Sequence, residues 1–358
     1  MADNAITLSP GQSTEKQCRR DMLEFVSNEE LQNFHITSLP HALKSIAAIW
    51  VAIAATLSAS FLVFSANPYF FYPLAPVAAF FIATRFHALS VQVHEASHYS
   101  FDRRRRKLND LIGNWLIGYW ILFDVPLYRS AHEMHHRFLG TDGDPDLDFY
   151  NFSATGRSFF AKLVFKDLLL ITAAERIWLV LSGKRAKQVA SDAKKGAAVL
   201  NAHLLAKALV QTIVLMAFVA LLGVPDGLIF WLVLWIIPLF AFFPLIIRWR
   251  TIAEHWYPPG DDVEGRFVSR SFTGRPFDIW LFGAQMRFHM EHHLYPAIPF
   301  HQLKALHGVL QERGFFDQDR EGNHADLSVA GYLPFWKNLL SQSPVTSSAG
   351  LANNTPLT

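Results

Sequence analysis

The stretch SIAAIWVAIAATLSASFLVFSANPYFFYPLAPVAAFFIATRFHA, residues 45–88, decides the fold. It contains two apolar runs, 45–66 and 69–88, which are separated only by Asn67 and Pro68. Each run approaches the roughly 20 residues that a helix needs to cross about 30 Å of hydrocarbon. Because an Asn-Pro pair is typical of a turn, the stretch predicts two membrane-spanning helices joined as a hairpin.

A second pair of apolar runs, 203–224 and 228–247, repeats this arrangement around Pro225, Asp226 and Gly227. The composition agrees, because 51% of the residues are hydrophobic and only 17% are charged, with 31 Phe and 10 Trp. These values are too apolar and too aromatic for an ordinary soluble domain. We therefore predict an all-α integral membrane protein with four transmembrane helices in two hairpins.

The basic residues predict the orientation in the membrane. Neither hairpin turn carries Lys or Arg, whereas other connections contain the basic stretches Arg103–Lys107 and Lys184–Lys195. Short loops rich in Lys and Arg stay in the cytoplasm. We therefore expect both termini on the cytoplasmic side of the inner membrane. Basic runs can also bind nucleic acid or anionic lipid, but their role in orienting the chain explains them here, and we expect no nucleic-acid partner.

The chain is expected to divide into three parts. These are a cytoplasmic N-terminal tail at 1–40, a membrane domain at 41–340 and a flexible C-terminal tail at 341–358. Within the membrane domain, Leu111–Val125 and Ser158–Leu181 mix aromatic or charged residues with apolar ones, so we expect interfacial helices there. The first apolar run begins only after about forty residues, and no cleavable signal peptide is expected.

Three short clusters contain eight of the sixteen histidines: HEASH at 94–98, HEMHH at 132–136 and HMEHH at 289–293. Within a helix, positions three and four residues apart lie on one face, so each cluster can aim its rings at one point. Imidazole is the commonest protein ligand of redox metals. All three clusters follow the cytoplasmic ends of predicted spans, so they lie on one side of the membrane. The spacing predicts one polynuclear metal site in a cytoplasmic cap.

The order HxxxH, HxxHH, HxxHH around two hairpins resembles the integral-membrane fatty acid desaturase and hydroxylase superfamily. The resemblance runs from about His87 to His307 and includes three further motifs: NDLIGNW at 109–115, GDPD at 143–146 and HHLYPAIPFHQL at 292–303. The segment RTIAEHW at 250–256 is similar to a bacterial branch that includes the dihydrorhizobitoxine desaturase. The resemblance implies a centre of two iron ions that uses O2 and two electrons.

The resemblance also implies a ligand set of nine histidines. Eight are in the clusters, and His255 lies where the family places one more histidine after the last span. The nine are His94, His98, His132, His135, His136, His255, His289, His292 and His293. Nine donors over two irons give each metal four or five ligands and an open position for O2. Where other members place a water-holding Asn one turn before the ninth histidine, this chain has Thr251.

Acidic residues close to these histidines are candidates for outer hydrogen bonds. A metal-bound imidazole usually donates its second N–H to a carboxylate or carbonyl, which fixes the tautomer. We expect one or more of six acids in this role: Glu95, Glu133, Glu254, Glu291, Asp144 and Asp146. Other histidines, including His301 and His307, match no ligand spacing and are expected at the surface or at an entrance to the site.

The chemistry implied by the resemblance is the removal of hydrogen from an unactivated CH2, which acid and base groups alone cannot do. Loss of a second hydrogen gives a double bond, whereas return of a hydroxyl gives an alcohol. The motifs favour an O2-dependent desaturase of an acyl chain or lipid. A hydroxylase of the same superfamily and a desaturase of a small amino-acid-derived metabolite remain alternatives.

Electrons are expected from a separate protein. The chain has no dinucleotide-binding glycine motif and no haem signature, and the single Cys18 cannot build an Fe–S cluster. We expect a ferredoxin, or a cytochrome with its reductase, to dock on the basic cytoplasmic face.

Two other classes of function were weighed against this interpretation. HEASH fits the H-E-x-x-H motif of zinc metalloproteases, with Glu95 as general base and His94 and His98 as ligands. That interpretation leaves six clustered histidines and His255 without a role. A metal transporter would carry its histidines inside the spans, whereas these follow the span ends.

Overall fold

The computed structural model describes residues 10–150, 152, 156–182, 193–257, 269–274, 276–282, 284–317 and 327–341. Four helices in this part are long and apolar enough to cross a membrane. They are α3 (Leu39–Ala66), α4 (Pro68–Ser97), the Ala202–Leu222 part of α10 (Ala193–Leu222) and α11 (Val224–His255). The predicted all-α membrane fold with four spans in two hairpins is confirmed.

The first hairpin turns at Asn67, as the sequence predicts. The Asn67 side chain accepts a hydrogen bond from the N–H of Tyr69, and Pro68 occupies the first turn of α4, where no N–H is needed. The second hairpin turns earlier than predicted, at Gly223, whose φ of +79° suits glycine. Pro225 and Asp226 belong to the first turn of α11 and not to the connection.

Two of the spanning helices run well beyond the predicted apolar segments. α4 continues to Ser97 and therefore contains His94, and α11 continues to His255. The interior of α11 contains two π-helical segments, Leu232–Ile236 and Pro238–Phe242. Hydropathy detects only the lipid-facing part of a helix, whereas these ends are polar and buried by other elements. The first histidine cluster and His255 thus stand on rigid helical extensions.

The remaining elements build the cap around these helix ends. Helix α5 (Arg106–Trp115) is followed by a 3-10 turn at Gly118–Ile121, and this segment bends by 87° into α6 (Val125–Phe138). The other helices are α7 (Leu147–Tyr150), α8 (Arg157–Leu168), α9 (Ile171–Leu181), α12 (Pro276–Phe282), α13 (His289–Leu294), α14 (Phe300–Glu312) and α15 (Tyr332–Ser341). Two 3-10 turns lie at Ala284–Arg287 and Phe315–Asp317.

A pair of two-residue parallel strands, β1 (Ser271–Phe272) and β2 (Ser328–Val329), was not predicted. Ser271 also bridges to Phe288, the residue before α13. This small sheet therefore fastens the chain that follows α11 to the third histidine cluster.

The segment expected to be an N-terminal tail folds against the core over residues 10–38. Two helices, α1 (Pro10–Leu23) and α2 (Asn28–Asn33), lie there, and Cys18, Met22 and Val26 are buried in the core. These three residues are spaced four apart, so the helical signal was present in the sequence. The other basic stretch, Lys184–Lys195, lies largely outside the described residues, as does all of the predicted C-terminal tail except Ser341.

Candidate metal centre

All nine predicted histidines meet in the cap, where they form two adjacent sets. The five-histidine group consists of His94, His98, His132, His136 and His292. The four-histidine group consists of His135, His255, His289 and His293. Within each group, one ring nitrogen of every member lies within 4.8 Å of those of all the others.

The two HxxHH clusters divide between the groups. On α6, His132 and His136 lie one turn apart and join the five-histidine group, whereas His135 joins the other. On α13 the division is reversed, because only His292 joins the five-histidine group. Since neighbouring residues on both helices point to different groups, α6 and α13 hold the two groups side by side.

The ring nitrogens converge closely. In the five-histidine group, Nε2 of His136 lies 3.0 Å from Nε2 of both His132 and His292. In the four-histidine group, Nε2 of His289 lies 3.0 Å from Nε2 of His255 and 3.1 Å from Nε2 of His293. A neutral imidazole carries a single N–H, so these contacts cannot all be hydrogen bonds. A metal cation placed among the rings of one group would be coordinated by the lone pairs of their nitrogens.

The protonation of the rings fits a metal site. Burial, followed by repulsion from the neighbouring imidazoles, lowers the pKa well below its usual value for His132, His136, His289, His292 and His293. Neutral imidazole is the form that binds metals. Some buried ring nitrogens have no hydrogen-bond partner in the described part of the chain: both of His94, Nε2 of His98, and Nδ1 of His289 and His292. The donor set fits two nitrogen-preferring transition metals.

Asp144, from the GDPD motif, supports the four-histidine group from behind. Its two oxygens lie 2.9 and 3.0 Å from Nδ1 of His135, and Tyr150 donates its hydroxyl hydrogen to the same carboxylate. Burial opposes the charged form of His135, but Asp144 raises the pKa of this ring overall. Asp146 joins the cluster and donates its backbone N–H to Asp144, at 2.8 Å. This contact with a ring nitrogen is the geometry that the expected outer role of Asp144 requires.

Glu254 lies near the Nε2 atom of His289, whereas Asp144 lies near the Nδ1 atom of His135. Its Oε2 is 3.5 Å from Nε2 of His289, the nitrogen that faces the other members of the four-histidine group. Its Oε1 accepts hydrogen bonds from Nε of Arg250 and from the hydroxyl of Tyr332, each at 2.7 Å. Arg250 and Tyr332 were not among the predicted site residues.

Glu95 and Glu291 accept hydrogen bonds that hold helices of the cap in place, and neither makes a hydrogen bond to one of the nine histidines of the two groups in the described part of the chain. Glu95 accepts the N–H of Phe300, at 2.9 Å, and so caps the N-terminus of α14, while its other oxygen stays 3.6 Å from Nδ1 of His94. Glu291 accepts hydrogen bonds from Ser271 and from Nδ1 of His307. These contacts tie α13 to β1 and α14.

Two predictions about individual residues are wrong. Glu133 is exposed on α6, and within the described ranges it makes no hydrogen bond or ion pair, because its position faces away from the histidines. His307 is buried and not at the surface. It shares the buried face of α14 with Phe300, Leu303 and Leu310, a spacing that the sequence already contained.

The NDLIGNW motif packs the first two clusters together. The side chain of Asn109 donates to the carbonyl of Ala96 at 2.8 Å, and that of Asn114 accepts the N–H of Val125 at 2.8 Å. A Cβ at Gly113 would lie 2.6 Å from Cγ2 of Val125 and 2.8 Å from Cβ of Ala96, so glycine is needed for the close approach. The motif thus sets how the end of α4 meets the start of α6.

Arg129 holds the end of α4 from the other side and was also missed by the sequence analysis. It donates to the carbonyls of Ser97, at 2.7 Å, and Ala96, at 3.0 Å, and it pairs with Asp110 at 2.6 Å. Such a cation suits the negative end of a helix. It fixes the backbone from which His98 extends.

Comparison with known proteins identifies the family. The model of the fatty acid desaturase family matches residues 70–318, which is more than half of the chain, so the chain belongs to this family. A beta-carotene 4-ketolase of Protosiphon botryoides is 28% identical over 107 residues, 30% of this chain and 27% of the relative. A beta-carotene ketolase of Haematococcus lacustris is 38% identical over 76 residues, 20% of this chain and 24% of the relative. The chain thus matches about a quarter of the length of these relatives.

The family match therefore confirms the predicted membership of the membrane desaturase and hydroxylase superfamily. The protease interpretation loses its support, because Glu95 caps a helix and the histidines of HEASH belong to a group of five.

Proposed function

We propose that this member of the fatty acid desaturase family is a di-iron membrane desaturase that introduces a double bond into an acyl chain. The single observation that carries the proposal is the meeting of nine histidines in two adjacent groups at the ends of apolar helices. In the overall reaction, a CH2–CH2 unit, O2, two electrons and two protons give a CH=CH unit and two waters.

The five-histidine group would hold one iron and the four-histidine group the other. Nitrogen donors in this number suit iron, and no cysteine lies in either group. Two ferrous ions bound there would supply the reduction of O2 and the oxidation of an unactivated C–H bond.

The chain itself keeps the donors in place. The carboxylate of Asp144 accepts a hydrogen bond from Nδ1–H of His135. Nε2 of that ring then carries no hydrogen and can bind a metal. Arg129 and Asn109 fix the end of α4, and Glu291 fixes α13. Because seven of the nine histidines are at most 5% exposed, bulk water is largely kept from the site. Exclusion of water protects a strong oxidant from side reactions.

The family supports a lipid-type substrate, and we propose an acyl chain that enters from the bilayer. The names of the relatives favour one second candidate, an oxygenase that acts on the CH2 of a carotenoid. We rank it below the desaturase because the relatives match at most 30% of this chain, whereas the desaturase family matches residues 70–318. A small amino-acid-derived substrate is the third candidate.

Electron supply and orientation complete the proposal. With four spans, the start of α3 and the ends of α4 and α11 share one side, which we propose to be the cytoplasmic side of the inner membrane. The basic stretch Arg103–Lys107 lies on that side, beside the end of α4. A reduced ferredoxin, or a cytochrome with its reductase, would dock there.

Reconstitution tests this function. The full chain is purified in lipid nanodiscs, its iron is counted, and ferredoxin, ferredoxin reductase, NADPH and O2 are added with membrane lipids, acyl-CoA or carotenoid. Mass spectrometry should find about two irons per chain and a lipid that has lost two hydrogens. A product that gains one oxygen would replace the desaturase by a hydroxylase or ketolase. Full turnover without any carrier protein would contradict the external donor.

A further inference from the structure

Helix α10 carries a stripe of three polar side chains, although most of this helix is apolar enough to span the membrane. His203, Lys207 and Gln211 are spaced four residues apart, so they lie on one face. Lys207 lies within the Ala202–Leu222 span and is only 8% exposed. Ionisable side chains within membrane spans are rare, pair with a specific partner and commonly mark functional positions. The stripe therefore needs a role beyond crossing the membrane.

The partners of the stripe include one short segment, residues 119–124, which leads from a 3-10 turn into α6. Nδ1 of His203 lies 2.9 Å from the hydroxyl oxygen of Tyr119. The side-chain amide of Gln211 donates to two backbone carbonyls of this segment, at 3.0 and 3.3 Å. One face of α10 thus holds the segment that precedes the second histidine cluster.

Asp124, the last residue of this segment, links the stripe to α6. Its Oδ1 accepts the N–H of Leu127, at 3.0 Å, and so caps the first turn of α6. Its Oδ2 accepts a hydrogen bond from Nζ of Lys207, at 2.6 Å, and Asp124 is only 3% exposed. The lysine compensates the buried negative charge. Lys207 therefore holds the carboxylate at which α6 begins.

The start of α6 needs such an anchor because the chain changes direction there. The segments Arg106–Ile121 and Val125–Phe138 differ in direction by 87°. Between them, Leu122 has a φ of +63°, a left-handed conformation that side chains other than glycine rarely adopt. Because the helix is interrupted at this bend, α5 cannot set the direction of α6 by helical continuity.

The position of α6 matters because this helix carries members of both histidine groups. His132 and His136 belong to the five-histidine group, and His135 belongs to the four-histidine group. His132 follows Asp124 by about two helical turns, which is about 12 Å along the axis. A helix of this length moves as one piece, so a displaced first turn displaces all three rings. A metal site tolerates displacements of only about 0.5 Å.

We infer that Lys207 is a positioning residue of the metal centre: through Asp124 it fixes the start of α6 and thereby the place of three of the nine histidines. This inference rests on the proposed function for the presence of a metal pair. It places the anchor of the second cluster on a membrane-spanning helix. Loss of the ion pair should therefore weaken both metals, whereas a change behind a single ring weakens one.

Chelator competition on the full chain, loaded with iron in lipid nanodiscs, tests the inference. In Lys207→Met, which keeps an unbranched side chain but loses the charge, the affinity should fall about tenfold at both sites. Hydrogen exchange of the metal-free chain should become faster over residues 125–131, in the first turns of α6. Lys207→Arg keeps a charged donor, so it should restore most of the affinity at both sites.

Two further variants separate positioning from ordinary stability. The double variant Lys207→Met, Asp124→Asn removes both buried charges and keeps a good helix cap, so it should fold even if Lys207→Met does not. It should show the same loss of affinity at both sites. Gln211→Met is the matched control, because it loses hydrogen bonds to the same segment but leaves Asp124 paired. Its thermal unfolding should be lower, and both affinities should stay.

Unchanged affinities and unchanged exchange of α6 in the variants that lack Lys207 would overturn the inference and leave the ion pair as an anchor of the fold alone. A loss at only one site, or an equal loss in Gln211→Met, would overturn it as well. The proposed function fails by a different result, a wild-type chain that binds no pair of irons.

Discussion

The five-histidine group and the four-histidine group use the same side chain but differ in which charged groups lie beside their rings. Around the four-histidine group, Asp144 and Glu254 place carboxylates within 3.5 Å of ring nitrogens. In the five-histidine group, burial and the positive charges of Arg129 and Arg103 lower the pKa of His98 to about 3. In the proposed centre, one metal would have five nitrogen donors, whereas the other would have four, with Asp144 hydrogen-bonded to one of them. The difference predicts that the two metals respond to different substitutions.

The largest effects should come from the adjacent histidines His292 and His293, one from each group, which we propose as ligands. We expect His292→Ala and His293→Ala each to abolish turnover, since both metals are needed to reduce O2. Iron content should fall from about two toward one per chain in both variants. His293→Ala should lose its metal more completely, because it leaves three nitrogen donors and not four. Equal metal content and normal turnover in either variant would remove that histidine from the ligand set.

Asp144→Asn should weaken only the metal of the four-histidine group. Loss of the carboxylate behind His135 removes the acceptor that fixes its tautomer, and such changes lower metal affinity about 10 to 100-fold. Chelator competition measures the affinity of each site. Glu133→Gln is the matched control on the same region, because Glu133 is exposed on α6 and should change neither affinity. A loss of metal affinity at both sites would show that the two groups do not respond separately to substitution.

Glu95→Gln should affect stability more than chemistry. The carboxylate caps α14 and touches no reacting atom, and the amide oxygen of Gln is a weaker acceptor for the N–H of Phe300, so the substitution should destabilise the fold by about 1 kcal/mol. We expect thermal unfolding a few degrees lower and turnover within about tenfold of the wild type. A zinc protease would instead lose all activity with its general base. Complete loss of oxygenase turnover with normal iron content would contradict the capping role.

The smallest effect is expected at Glu30, which pairs with Arg313 at 2.7 Å on the surface, between α2 and the end of α14. The hydrogen bonds from Arg313 and Ser27 lower the pKa of Glu30 to about 2 from a usual 4.5. Its stabilising contribution is therefore present above pH about 4.5 and is lost as the pH falls toward about 2.

Glu30→Gln should flatten the pH dependence of unfolding within this window and leave the iron content per chain unchanged. Unfolding curves at several pH values measure the pH dependence, and metal analysis measures the iron content. A lower iron content would mean that the N-terminal helices influence the metal centre.

Several features could be predicted because each depends on local sequence. The apolar runs around Asn67 predicted the spans, and the place of Asp144 directly after the second cluster suggested a contact with one of those histidines. Features that depend on contacts between distant segments were missed or misplaced. Tyr332 reaches the site from a segment without any motif, and Arg129 lies on the helix of the second cluster but contacts the end of α4. Glu133 was misplaced because nearness in sequence does not say which face of α6 is buried.

By itself, the sequence determined the membrane helices, the three histidine clusters and the helical face that each cluster shares, because hydropathy and a period of 3.6 residues are local properties. Only the tertiary structure decided that His135 and His136, and likewise His292 and His293, belong to different groups. It also decided that Asp144 lies against Nδ1 of His135, whereas Glu254 lies against Nε2 of His289. The physical reason is that periodicity fixes directions within one helix, whereas the meeting of rings from different helices depends on how those helices pack.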